Sequence, residues 1–384
     1  MPSSVMKVLY DYQAFELQRY GGVSNCFTQL IKNMPPDVDV EIGVRETNNI
    51  HLLASGIIDV IPKKNLICQF IKNQSFRGKM RLYKEFSNLF PHLTSRGRNI
   101  LYSIEKIKGG DYDVFHPTFF DTYFLPYLKD KPFVLTVHDM IPELLFPPND
   151  KQAVEKAELV KRASYIVTVS ENTKNDLVNI LNVPESKISV IYHGAPEAKC
   201  VHQKPIVDSS YLLYVGSREG YKYFMPMLKC LLPFLVNHLD INIVCTGPGF
   251  TYKELCFFKE NGISSRMIHV NGDDEMMMNL YSHALCFIYP SIQEGFGMPI
   301  LEAYKANCPV LLNNKSCFPE IAQDAALYFD LKENWSNLLQ VIESFLIMSD
   351  SSKANLLRKQ RERLEFFSWK KSSKQLYEVY KSMC

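Results

Sequence analysis

Ser291-Ile292-Gln293-Glu294-Gly295-Phe296-Gly297-Met298-Pro299-Ile300-Leu301-Glu302-Ala303 decides how this chain is read. Just upstream, Cys286-Phe287-Ile288-Tyr289 is a short apolar run closed by Pro290, which predicts a buried strand. Downstream, Pro299 suits the first turn of a helix, where its missing N–H costs nothing. Ile300, Leu301, Ala303 and Tyr304 continue that helix with a mainly apolar face. The loop between strand and helix holds Gly295, Phe296, Gly297 and Met298, four candidate substrate-binding positions. Glycine lets the backbone come close to a ligand. A helix N-terminus adds unpaired N–H groups and a partial positive charge, which suit a phosphate.

Glu294 and Glu302 stand on either side of this turn with seven residues between them. Because the glycines interrupt the helix, Glu294 can fold back over the mouth of a site while Glu302 stays on the helix. Each carboxylate can accept hydrogen bonds from a hydroxyl pair, as sugars and ribose offer. The same spacing also fits an N-terminal helix charge and a solvated surface glutamate.

The stretch resembles the glutamate-x7-glutamate signature of retaining glycosyltransferase family 4, whose fold is GT-B. Its neighbourhood agrees: Asp274 through Ser282, Ala284 and Tyr289-Pro290-Ser291 before it, then Cys308-Pro309-Val310 and Phe318-Pro319-Glu320 after it. The resemblance is close over residues 205–330 and patchy in the first half. It implies an α/β architecture of two Rossmann-like domains with parallel sheets facing a central cleft. The expected division is residues 1–195 for the acceptor and 196–368 for the nucleotide-sugar donor, with a C-terminal helix, 369–384, crossing back to the first domain.

Composition is compatible with that expectation. The 384 residues are 46% hydrophobic, enough for two sizeable cores. A net charge of +2 gives no global field that argues for nucleic acid. The ten cysteines show no CxxC pair and no metal-ligand spacing, as expected for reduced thiols in a cytoplasmic protein. No signal-peptide pattern opens the chain, and no apolar run reaches the roughly 18 residues that span a bilayer. Between Lys63 and Lys84 lie seven basic residues and no acid, interleaved with Leu66, Ile67, Phe70, Ile71, Phe76, Met80 and Leu82. Such a stretch fits peripheral contact with an anionic membrane, at the inner face of the cytoplasmic membrane, and equally a solvated helix with its apolar face on the core.

The first half reads as strand and helix in alternation. Met6–Tyr10 is a strand, and Gly21-Gly22 opens a helix carrying Val23, Phe27, Leu30 and Ile31. A Gly-Gly pair between strand and helix is a phosphate-binding arrangement or simply a tight turn. In the family this loop faces the donor phosphates and the acceptor, though Asn25-Cys26 replaces a common arginine-aromatic pair. Val114-Phe115-His116 and Thr136-Val137-His138-Asp139 are strands ending in histidine. Strand carboxyl ends are where open α/β sheets bind ligands. By resemblance, His138 approaches the transferred sugar with Asp139 behind it, and His116 is a candidate on the acceptor side. Residues 195–209 read as the linker.

In the second half, Tyr211–Val215 leads into Gly216-Ser217-Arg218-Glu219-Gly220-Tyr221-Lys222. A glycine turn with two cations can hold a diphosphate, or can be a surface turn. By resemblance Lys222 neutralises the leaving diphosphate. Tyr221 stands where many relatives have arginine, so Arg218 is expected to supply the second charge. The strand Ile241–Cys245 ends at a second glycine turn, Thr246-Gly247-Pro248-Gly249. The family places the base near the next strand end, here His269 and Val270. From Glu333 onward the sequence reads as helical.

The expected activity is retaining, metal-independent hexosyl transfer from a UDP-, GDP- or ADP-sugar to a glycan or lipid-linked acceptor in surface polysaccharide assembly, without a cofactor. By resemblance, departure and attack occur on one face of the sugar. A GT-B epimerase, a phosphorylase and a non-catalytic nucleotide-sugar-binding subunit are the alternatives.

Overall fold

The computed structural model describes residues 5–58, 61–62, 76, 78–79, 81–82, 85, 89–197, 204–218, 220–332 and 335–384. The basic stretch 63–84 therefore lies almost wholly outside the described residues. The chain forms two compact units. The first comprises Met1–Val169, Thr173–Tyr192 and Trp369–Cys384; the second comprises Ser170–Asn172 and His193–Ser368.

The first unit is built on six parallel strands: β1 (Met6–Tyr10), β2 (Val38–Ile42), β3 (Val114–His116), β4 (Val134–Val137), β5 (Tyr165–Thr168) and β6 (Ile188–Val190). They pair as two three-stranded sheets, β2-β1-β3 and β4-β5-β6. A single parallel bridge between Phe115 and Phe133 joins the two. β3 and β4 are apolar at nearly every position because parallel strands are covered on both faces. Leu9, Phe115, Leu135 and Val137 meet Phe124, Leu159 and Leu177 in the core of this unit. The helix Lys151–Arg162 starts where Asp150 accepts from the N–H groups of Gln152 and Ala153. It carries Lys156, fully buried and paired at 2.8 Å with Glu143.

The C-terminal helix Trp369–Lys381 completes the first unit. Ser373 Oγ donates to the Leu30 carbonyl at 2.8 Å, and Tyr380 is wholly buried. The Tyr380 hydroxyl lies 2.6 Å from the Tyr10 hydroxyl and 2.6 Å from His116 Nδ1.

The second unit contains one six-stranded parallel sheet: β7 (Ser210–Tyr214), β8 (Ile241–Cys245), β9 (Met267–His269), β10 (Cys286–Tyr289), β11 (Val310–Asn313) and β12 (Leu327–Phe329). The spatial order is β9-β8-β7-β10-β11-β12. This is the doubly wound order in which the direction of winding reverses between the first and fourth strands, here β7 and β10. Leu212, Tyr214, Ile243 and Ile288 pack with Leu228, Leu231 and Phe234 of the helix Phe224–Asn237. The helical region expected from Glu333 begins later, at Leu338. Leu331–Lys332 first pairs antiparallel with Trp335–Ser336, and Asn337 accepts from Asp330 N–H at 2.8 Å to close that turn. The described cysteines are all free thiols, as their scattered spacing predicts.

Candidate active site

Reversal of winding leaves a crevice beyond the carboxyl ends of the two strands that flank it. In the second unit those ends are Tyr214 and Tyr289, and the loops after them are the two that the sequence singles out. They touch. Ile292 N–H donates to the Tyr221 carbonyl at 2.9 Å. Lys222 Nζ lies 2.6 Å from Glu294 Oε1, with both side chains largely buried. The ammonium also faces the rings of Tyr221 and Tyr289, at 5.2 and 5.6 Å from their centroids.

Glu294 is held from behind. Its N–H donates to Ser316 Oγ at 3.0 Å, and that hydroxyl donates back to the Glu294 carbonyl at 2.7 Å. Asn313, at the end of β11, donates to the carbonyls of Pro290 and Ser291 at 3.1 and 3.3 Å. Gly297 caps the helix Met298–Lys305 with φ +88°, and a Cβ there would crowd Ile300 and Phe318 at 3.1 and 3.2 Å. Gly295 is buried in the same loop and Met298 is partly exposed at the helix start. Phe296 departs from expectation. It is 4% exposed and packs edge-on against His193 and Phe367, contacts that anchor the loop.

Glu302 lies on the helix, partly buried, and accepts from the Tyr281 hydroxyl at 3.1 Å. Burial pushes its carboxyl up to about 7, against the Tyr281 hydrogen bond and with help from the charge of Asp274. Tyr281 belongs to the helix Asp274–His283, whose start is capped by Asp273 accepting from Met276 N–H at 3.0 Å.

The glycine turn after β7 abuts the one after β8. Gly216 has φ +111° and Gly247 φ +86°, and a Cβ on Gly247 would meet the Gly216 carbonyl oxygen at 2.5 Å. His269 Nε2 lies 2.8 Å from the Gly247 carbonyl, and Val270 N–H donates to Cys245 at 3.0 Å. Arg218 does not take the place expected for it. It is 8% exposed, and its guanidinium is held by Glu254 at 2.7 Å, by the Gly249 carbonyl at 2.7 Å and by the Thr246 carbonyl at 3.3 Å. A guanidinium that clamps a phosphate must present an open edge; this one is turned into the protein.

The first unit has its own reversal, between β1 and β3. Gly21 is the N-cap of the helix Gly22–Lys32, its carbonyl accepting from Asn25 N–H and Ser24 Oγ. His116 is not available to an acceptor. It is wholly buried, with Nδ1 on Tyr380 and Nε2 2.9 Å from Thr136 Oγ1. Burial, with the neighbouring His138, pushes its pKa down to about 3. His138 is only partly buried and meets the edge of the Phe27 ring at 5.8 Å. Burial lowers its pKa to about 4, so the imidazole is neutral near pH 7. Asp139 Oδ1 accepts from Ile141 N–H at 3.0 Å, and its carbonyl accepts from Lys156 Nζ at 2.8 Å.

Sequence reading missed Asn313, Ser316, Tyr281 and Glu254 as supports of this site. Only Glu254 had a local signal, the Thr251-x-x-Glu254 capping-box pattern.

Two parallel α/β units with loop-borne cations and carboxylates at the second unit's winding reversal define a GT-B protein. Residues 20–199 match the family profile described as Glycosyltransferase Family 4, and residues 201–364 match the one described as Glycosyl transferases group 1. Together these cover most of the chain, which belongs to glycosyltransferase family 4. It is 30% identical over 227 residues to the O-antigen chain mannosyltransferase RfbU of Salmonella typhimurium, covering 57% of this chain and 62% of that protein. It is 29% identical over 281 residues to the O-antigen chain mannosyltransferase B of Escherichia coli, covering 67% and 72%. The chain thus spans less than two thirds of the length of the first of these relatives. Among solved structures it resembles a glycosyltransferase from Rickettsia africae (TM-score 0.67, 16% identity, 98% of each chain). It also resembles Anabaena Alr3699/HepE in complex with UDP and glucose (TM-score 0.69, 15% identity, 98% and 100%). At such identities the likeness is one of fold.

Proposed function

We propose that the protein transfers a hexosyl residue, mannose first among candidates, from a nucleoside-diphosphate sugar to a glycan or lipid-linked acceptor of surface-polysaccharide assembly, with retention of configuration and without a metal ion. The observation that carries this reading is the contact between Lys222 and Glu294 at the winding reversal of the second unit. The mannosyltransferase names of two relatives support the sugar and the setting.

In this reading the donor diphosphate lies against Lys222. Negative charge builds on the diphosphate as the glycosidic bond breaks, and a fixed cation there lowers the barrier by several kcal/mol. Glu294 binds hydroxyls of the sugar; a carboxylate has about four acceptor sites, and Lys222 occupies one. Glu302 takes the ribose hydroxyls. His138, neutral near pH 7, orients the sugar and the incoming hydroxyl. Among the described residues no helix is long and apolar enough to cross a membrane. Contact with a membrane surface through 63–84 remains part of the proposal and rests on the acid-free basic run.

A thermal-shift screen with UDP-, GDP- and ADP-sugars, followed by transfer to a mannosylated glycan acceptor in the presence of EDTA, tests the reading. One donor should stabilise the protein, and turnover should need acceptor and survive EDTA. Donor turnover without acceptor supports an epimerase, dependence on inorganic phosphate a phosphorylase, and binding without turnover a non-catalytic subunit.

A further inference from the structure

The turn Gly216–Lys222 carries two cations that the structure uses differently. Lys222 reaches the neighbouring loop at Glu294. Arg218 turns the other way, into the wall between the two glycine turns. Its guanidinium lies against the faces of Phe250 and Phe224, at 4.8 and 5.8 Å, and meets the carboxylate of Glu254 in a buried ion pair. Glu254 is itself fixed: its Oε2 accepts from Thr251 N–H at 2.6 Å and from Thr251 Oγ1 at 2.8 Å, closing the capping box of the helix Tyr252–Glu260. The ion pair therefore ties the turn after β7 to the turn and helix after β8. The close approach of Gly247 to Gly216 and the 2.6 Å bond from the Tyr214 hydroxyl to the Ser217 carbonyl fix the same turn.

We propose that Arg218 and Glu254 act together as positioning residues: their buried pair sets the height of the Gly216–Lys222 turn, and with it the place of the Lys222 ammonium, while Arg218 itself does not touch the diphosphate. The function of Lys222 in this statement rests on the nucleotide-sugar reading above; the bracing of the turn does not. A buried charge left without its partner is strongly unfavourable, so loss of either member shifts the turn by the same route. The two substitutions are accordingly expected to be non-additive.

The experiment compares the full chain with Glu254→Gln, Arg218→Met, the double replacement Arg218→Met with Glu254→Leu, and, as a control, Lys259→Ala, an exposed position in the last turn of the same helix. Hydrogen–deuterium exchange reads the turn directly, and titration calorimetry with GDP, UDP and ADP reads its function. Glu254→Gln and Arg218→Met should each raise exchange over residues 216–222 and weaken the nucleotide that binds wild type by about tenfold, the worth of one charge-assisted hydrogen bond. The double variant should regain thermal stability but bind no more weakly than either single one, and Lys259→Ala should bind as wild type. The proposal is overturned if Glu254→Gln leaves exchange of the turn unchanged. It is equally overturned if Glu254→Gln binds nucleotide as well as or better than wild type while Arg218→Met does not, because that pattern makes Arg218 a direct ligand. If wild type binds none of GDP, UDP and ADP, the nucleotide-sugar reading falls, and the exchange data still decide whether the brace exists.

Discussion

The Tyr380 hydroxyl sits between the Tyr10 hydroxyl and His116 Nδ1, 2.6 Å from each, inside the first unit. One phenol from the C-terminal helix thus satisfies two buried polar groups on adjacent strands. Tyr380→Phe keeps the ring and removes both hydrogen bonds. Leaving such groups unsatisfied costs about 1–3 kcal/mol, and urea unfolding should report a loss of that size. An unchanged midpoint would mean that the contact contributes nothing.

Lys222→Ala and Glu294→Ala should each abolish sugar transfer and lower the thermal midpoint, because each leaves a largely buried charge without its partner, so the assay is run on protein shown by circular dichroism to be folded. Steady-state assay of the purified variants checks this. Turnover near wild type in either variant contradicts the assignment of the site.

The raised pKa of Glu302 makes two linked statements. The folded protein holds this proton up to about pH 7, whereas an unfolded carboxyl releases it near its ordinary value of 4.5. Its contribution to stability therefore falls as pH rises from about 4.5 to 7, since the native state binds more protons there. Glu302→Gln should remove that slope and gain stability above pH 7. Ribose hydroxyls donate to the ionised form, so donor binding should release protons near pH 6. Calorimetry in buffers of different ionisation enthalpy measures that release.

His116 and His138 titrate with the opposite sign. Their folded pKa values, about 3 and about 4, lie below the ordinary imidazole value of 6.5. The unfolded chain binds protons first, so stability is lost as pH falls from about 6.5 toward 4. Because this window overlaps that of Glu302, the loss should be steeper in Glu302→Gln than in wild type.

Lys156 is buried completely and donates to Glu143 and to the carbonyl of Asp139, next to His138. Lys156→Met leaves a buried carboxylate without its partner and should cost roughly 3–5 kcal/mol. Adding Glu143→Leu should recover much of that loss in the same unfolding experiment. Failure to recover would point to the Asp139 carbonyl as the dominant partner.

The strands that carry this site were legible because each is a short apolar run closed by glycine, proline or histidine. Tyr211–Val215 and Cys286–Tyr289 are of this kind; the first forms as Ser210–Tyr214 and the second as read. The loops after them were legible as glycine-rich turns with charge. Which charges meet was not. Lys222 and Glu294 are brought together only by the strand order, which no local pattern encodes. Arg218 and Lys222 look alike on a five-residue stretch, and Glu254 alone separates their roles. His116 and His138 carry the same strand-end signature, and what divides them is Tyr380, far along the chain. Phe296 looked like a ligand wall because it sits among glycines; its neighbours His193 and Phe367 make it an anchor.

The helix that supplies Tyr380 is encoded after every described strand of both units. On the ribosome, the amino-terminal half must therefore wait with Tyr10, Leu30 and His116 uncovered until translation has passed residue 380. A nascent chain stalled at 368 exposes that seam to chaperones and proteases, and supplying Trp369–Lys381 as a separate peptide should close it.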